Sequence, residues 1–134
     1  MQVKALDHVN IVTADIAAAS AFYSALLDLT PDPRIPATKQ DTVAWLCDEG
    51  GRAIIHLNAV SLPRAFDRAF PPGAETGAIH HVALACADRA AMIERLEALG
   101  LAYETAEVPH AGLRQIFVRD PHNVLLELNF YSAN

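Results

Sequence analysis

The chain repeats itself, and this constrains its fold more than any single motif does. Residues 6–27 read LDHVNIVTADIAAASAFYSALL, and residues 79–100 read IHHVALACADRAAMIERLEALG. At an offset of 73, His8 matches His81, Val9 matches Val82 and Asp15 matches Asp88, with further identities at Ala14/Ala87, Ala17/Ala90, Ala18/Ala91 and Ala25/Ala98. At an offset of 71, AIIHLN (53–58) lies over VLLELN (124–129), so His56 falls on Glu127 and Leu57-Asn58 on Leu128-Asn129. Two copies are too few for a solenoid. A length of 134 residues suits one domain. The expectation is a single domain of two like modules: module one over 1–60, a linker over 61–77 holding Pro63, Pro71, Pro72 and Gly73, and module two over 78–134.

Each module reads as β-α-β-β-β. Leu6 to Thr13 is β-branched and apolar with alternation around His8, the pattern of a half-buried strand. Asp15 offers an N-cap oxygen, and Ala19, Phe22, Tyr23 and Leu26 follow as one apolar stripe. In the second module Asp88 is the cap, Met92, Ile93, Leu96 and Leu99 form the stripe, and Gly100 ends the helix. After the first helix comes a Pro-rich loop from Pro31 to Pro36. Strands are predicted near Ile35, over Thr42–Cys47 and over Arg52–Ala59. In the second half they are predicted over Ala102–Val108, Leu113–Arg119 and Val124–Tyr131, with Asp120-Pro121-His122-Asn123 as the last hairpin turn.

Successive side chains on a strand face opposite ways, so each strand can be oriented by its more apolar face. Ala5, Val9 and Ile11 should meet the helix, which turns His8 and Asn10 to the other side. By the same reasoning His56 and Asn58 oppose Ile55 and Leu57, His81 opposes Val82 and Leu84, and Glu127 and Asn129 oppose Leu126, Leu128 and Phe130. Four strands thus carry a metal-capable side chain on the face away from the helix. A lone carboxylate in Val124-Leu125-Leu126-Glu127-Leu128 is costly to bury and needs a partner. Three imidazoles and one carboxylate at repeat-equivalent positions make a sensible divalent-metal set.

Charge and composition exclude other classes. Lys plus Arg is 10 against 16 Asp plus Glu, a formal charge of −6, which is poor for binding a nucleic-acid backbone. A hydrophobic share of 52% excludes intrinsic disorder, and no apolar run reaches the length of a membrane span, about 20 residues. No secretory signal is visible at Met1–Asn10, and Cys47 and Cys86 read as unpaired thiols, so a cytoplasmic location is expected.

The pattern LDHVNIVTAD, FYSALLDL, AIIHL, HHVALACAD and FVRDPHNVLLELNF resembles the vicinal oxygen chelate superfamily over nearly the whole chain. That superfamily includes glyoxalase I, methylmalonyl-CoA epimerase, extradiol dioxygenases, fosfomycin-resistance transferases and bleomycin-resistance proteins. The closing F-x-x-D-P-x-x-x-x-x-E-L is the most specific part. The resemblance implies an α+β fold of two βαβββ modules forming a cupped mixed sheet around a metal. Carried over position by position, it gives His8, His56, His81 and Glu127 as ligands of one divalent ion: iron, zinc, nickel, manganese or cobalt. Glyoxalase I-like members usually hold Glu where this chain has His56, so the ligand set here carries one negative charge in place of two. His8, His81 and Glu127 alone match the two-His, one-carboxylate set of Fe(II) oxygenases, with His56 either a fourth ligand or an acid/base.

The resemblance implies a small substrate whose two neighbouring oxygens bind the metal together. Three activities remain open: a metal-dependent lyase or isomerase, a non-haem Fe(II) dioxygenase, and a metal-free drug or metabolite binder of the bleomycin-resistance type. For the first, Glu127 and His56 are the candidate catalytic bases. His110, in the loop Val108–Gly112, is a candidate at the border of the cup. Arg114 and Gln115 occupy adjacent, opposite-facing positions, so one of them should face the cup with Asn10 and Asn129 as substrate contacts. The loop 30–40, with Arg34 and Lys39, is a candidate cover. Arg64 and Arg68 sit on an expected short helix over Leu62–Phe70, either as anion ligands or as a solvated connector. His80 is expected at the rim and His122 exposed in its turn. Tyr103 and Tyr131 are read as packing. Relatives often pair modules across two chains, which implies a homodimer and leaves open whether the four ligands come from one chain or two.

Overall fold

The computed structural model describes residues 1–63 and 73–132. The chain divides into two compact units, Met1–Pro72 and Gly73–Asn134. In the first, strand β1 (Val9–Thr13) leads to helix α1 (Ile16–Leu27), then to β2 (Thr30–Pro31), β3 (Val43–Cys47) and β4 (Ala53–Ala59). The sheet order is β1-β4-β3-β2, with β1 parallel to β4 and the other pairs antiparallel. The second unit repeats the plan: β5 (Val82–Ala85), helix α2 (Arg89–Ala98), β6 (Tyr103–Val108), β7 (Leu113–Arg119) and β8 (Leu125–Tyr131), in the order β5-β8-β7-β6 with β5 parallel to β8. These are two βαβββ modules of an α+β fold, and neither sheet closes on itself.

Both helices start as the repeat predicts. The Asp15 carboxylate accepts the Ala18 amide at 2.9 Å, and Asp88 accepts that of Ala91 at 3.0 Å. Gly100 follows α2 at a φ of 65°, a left-handed conformation that suits glycine. The two inner hairpins are also built alike. Oδ1 of Asp48 accepts the amides of Gly50 and Arg52, at 3.0 and 2.9 Å. Oδ1 of Asp120 accepts those of His122 and Val124, both at 2.8 Å. In each case one aspartate fixes the reversal that sets the register of the last two strands.

Burial follows the alternation. Ile11, Thr13, Ile55 and Leu57 are buried, while Asn10 and His56 lie on the other face. α1 packs on β3 and β4 through Ile16, Ala19, Tyr23 and Leu26. In the second unit Met92, Leu96, Ile116, Val118, Leu126, Leu128 and Phe130 form the core. Each fully buried aliphatic side chain of this kind contributes about 1.5–3 kcal/mol. The backs of these strands are therefore fixed by packing, which presents His56 and Glu127 on the opposite faces.

Several expectations need correction. β1 begins at Val9, not Leu6, and Leu6 is exposed. The second strand is Thr30–Pro31, not a segment near Ile35. Pro33 and Pro36 have no amide to donate to a ladder, and Ala37–Lys39 forms a 3₁₀ turn. Leu99 falls just past the end of α2 and is exposed. His122 is half-buried in its turn, and its Nε2 is shut from solvent without a hydrogen bond. The helix expected over Leu62–Phe70, with Arg64 and Arg68, falls largely on 64–72, outside the described residues. Among the described residues no helix is long and apolar enough to cross a membrane.

Candidate metal centre

In the first unit, parallel pairing sets Asn10 beside His56, and antiparallel pairing sets Trp45 on its other side. His8 is two residues before Asn10 and shares its face. The His8 and His56 rings stack with centroids 3.8 Å apart and planes 10° from parallel. The Trp45 ring stacks on His56 at 4.3 Å, also at 10°. His8 Nδ1 lies 2.6 Å from Oδ1 of Asp7. That hydrogen bond holds the Asp7 carboxyl below its usual range, so it is ionised and accepts. Nδ1 of His8 is therefore the donor in this bond, which turns Nε2, the other ring nitrogen, away from Asp7. Burial, and then the neighbouring His8, lower the His56 pKa, which favours the neutral imidazole.

In the second unit, Nε2 of His81 lies 3.1 Å from Oε2 of Glu127. The amide of Gln115 donates to Oε1 of Glu127 at 2.6 Å and to Oδ1 of Asn129 at 3.2 Å. His80 Nδ1 is 3.0 Å from His81 Nδ1. The carboxylate that sequence reasoning required to have a partner therefore has two, one on each oxygen. Cross-strand placement explains them. Gln115 opposes Asn129 in the β7–β8 register, one diagonal from Glu127, and Glu127 opposes Ala83 in the β5–β8 register, whose small side chain leaves room for His81.

The sequence model of the Glyoxalase/Bleomycin resistance protein/Dioxygenase superfamily matches residues 5–128. The chain belongs to this superfamily. Solved structures share the fold at low identity. A protein from the mobile metagenome of V. Pseudocholerae superposes with a TM-score of 0.74 at 19% identity, covering 99% of this chain and 98% of that one. Lactoylglutathione lyase from Agrobacterium tumefaciens gives 0.67 at 21% identity, covering 97% and 96%. The fosfomycin resistance protein FosX from Listeria monocytogenes gives 0.66 at 18% identity, covering 98% and 96%. A variant of it has been solved with Mn(II) and 1S,2S-dihydroxypropylphosphonic acid. No curated protein sequence matches the chain.

His8, His56, His81 and Glu127 are the ligands expected from the sequence, and within each unit the two expected residues are neighbours. Among the described residues no three His, Cys, Asp or Glu side chains gather as a ready metal cluster. The donor chemistry nonetheless fits a divalent ion. His8 has a carboxylate on Nδ1, the usual outer partner of a metal-binding histidine. The His81–Glu127 contact is one in which a cation can replace the bridging proton.

The remaining predicted residues separate. Gln115, not Arg114, shares a face with Glu127; Arg114 opposes Phe130 and lies on the other face, beside Cys86 and Arg89. Asn129 is buried and bonded to Gln115, which limits it to a supporting contact. Asn10 is exposed next to His56. His110 is exposed in the 3₁₀ turn Pro109–Ala111. The Tyr103 hydroxyl donates to Glu97 at 3.2 Å, and Tyr131 is exposed. Sequence reasoning missed Trp45, Asp7 and the anchoring of Arg34. Alternation on β3, applied from Leu46 inward, would have turned Trp45 toward His56.

Proposed function

We propose that the chain is a divalent-metal-dependent enzyme that uses His8, His56, His81 and Glu127, supplied by one chain or by two, to act on a small molecule with neighbouring oxygens. The reaction class is lyase or isomerase. The observation that supports it most is the pairing inside each unit: His8 against His56, and His81 against Glu127. Superfamily membership and the Mn(II) complex of FosX add to it. A bound ion would supply Lewis-acid stabilisation of negative charge developing on the substrate oxygens. The protein's own groups do the rest. Gln115 orients the Glu127 carboxylate, which acts as the base on substrate carbon when it is released from the ion, and His56 is the alternative base. Trp45 holds His56 flat against His8 and shields that side from water. A homodimer fits the same reading, and sedimentation at micromolar concentration should give twice the mass of 14.5 kDa.

One observation favours a second reading. His56 is stacked between His8 and Trp45, which suits a residue standing back from the ion. The set His8, His81 and Glu127 is then that of an Fe(II) dioxygenase. Elemental analysis of anaerobically purified protein separates them. Nickel, cobalt, zinc or manganese supports the lyase or isomerase, and iron that reacts with oxygen supports the dioxygenase. Protein that holds none of these ions, even after they are added, would leave a metal-free binder.

A further inference from the structure

We infer that the cavity beside His56 holds an anionic group of the substrate, a carboxylate, phosphate or phosphonate. The word substrate rests on the proposed function; the anion site itself does not. The cavity has a volume of about 490 Å³ and is lined by Lys4, Asp7, Arg34, Trp45, Arg52 and His56, all in the first unit. That volume suits a small molecule. In a chain of net charge −6 with only 10 Lys and Arg, three of those cations meet at this cavity.

The two arginines are built in the same way. Arg34 donates from Nε and Nη2 to Asp32, at 3.0 and 2.6 Å, and Arg52 donates from Nε and Nη2 to Asp48, at 2.9 and 2.7 Å. Each carboxylate sits behind its arginine. The Asp32 side chain is 3% exposed against 68% for Arg34, and that of Asp48 is 17% exposed against 75% for Arg52. A guanidinium has five N–H donors, so each keeps donors on its outer edge after this pairing. Arg34 also lies over the Trp45 ring, 5.4 Å from its centroid. Guanidinium groups fixed in this way lose less freedom when they bind, and their fork geometry matches oxyanions. Asp7, the only carboxylate lining the cavity among the described residues, is bonded to His8. Its charge repels an anion from that end, which places the ligand at the arginine end with its remainder toward His56.

Trp45 is the sole tryptophan, so its fluorescence reports occupancy. The test titrates malonate and methylphosphonate separately into chelator-treated, metal-free protein at fixed ionic strength, with neutral malonamide as control. At least one anion should give a saturable change, and malonamide none. Arg52→Gln and Lys4→Gln should each weaken binding about tenfold, the scale of one charge-assisted hydrogen bond. Arg34→Lys should weaken it similarly, since charge is kept but the fork is lost. Arg52→Gln and Lys4→Gln alter exposed side chains, so they remain informative if Arg34→Lys fails to fold. No saturable response, or equal affinity in Arg52→Gln and Lys4→Gln, overturns the inference. Metal uptake without anion binding would defeat this inference alone, and anion binding without metal uptake would defeat only the proposed metal chemistry.

Discussion

The side-chain amide of Gln115 lies 2.6 Å from Oε1 of Glu127, across the β7–β8 pair and one diagonal away. It turns an otherwise costly half-buried carboxylate into an oriented one, with Oε2 left to His81. Gln115→Leu should therefore weaken binding of a divalent ion by about 10–100-fold, as loss of an outer partner does at metal sites. Competition against a chelator of known affinity checks this, and unchanged affinity would remove Gln115 from the centre.

Asp7 does the same for His8. Asp7→Ala should lower metal affinity by about tenfold or more, while Asp7→Asn, which keeps an acceptor, should lose less. The order of the two variants in the same competition assay is the informative result. Equal losses would mean that charge alone matters.

Asp32 is buried beneath Arg34, whose hydrogen bonds hold its carboxyl down at about 2. An unfolded aspartate titrates near pH 3.9. The depressed folded value means this stabilisation is complete above about pH 4 and is lost as pH falls from about 4 towards 2. Asp32→Asn should lower the denaturation midpoint at pH 7 and flatten its dependence across that acidic window. A parallel acid profile in the variant would show that the pair does not stabilise the fold.

Both cysteines are free, and burial raises both thiols, that of Cys86 to about 11. At pH 8 only about one Cys86 in a thousand would then be thiolate. A disulfide reagent should modify the native protein slowly and titrate two thiols promptly in denaturant. Fast modification of the folded chain would contradict the burial.

Leu57 and Leu128 occupy equivalent places in the repeat and are both fully buried. Leu57→Ala and Leu128→Ala should each cost about 2–5 kcal/mol by chemical denaturation. A cost below about 1 kcal/mol at either site would mean that its core is not closely packed.

Much of this architecture was legible in the chain because it is written twice. The offset repeat set the module plan, Asp15 and Asp88 marked the helix starts, and period-two alternation oriented His56 and Glu127. Alternation also required that only one of Arg114 and Gln115 face Glu127. Choosing between them needed the β7–β8 register, which depends on pairing between strands. Non-periodic segments were harder. The Asp32–Arg34 fork lies in a segment with Pro31, Pro33 and Pro36, where no repeat pattern reports on burial, and the partners of Asp7 and Trp45 are set by how neighbouring residues and strands come together. The buried Nε2 of His122 had no signal at all, since a histidine in a Pro-containing turn is ordinarily exposed.

The most direct test is equilibrium titration of manganese, iron, cobalt, nickel and zinc into metal-free protein and into His8→Ala, His56→Ala, His81→Ala and Glu127→Ala. A four-ligand centre predicts tight binding of at least one of these ions at about one equivalent per chain, with a loss of more than about tenfold in each variant. Retained affinity in His56→Ala alone would select the three-ligand form. No binding by the wild-type protein, or affinity unchanged in both His81→Ala and Glu127→Ala, would contradict the metal centre.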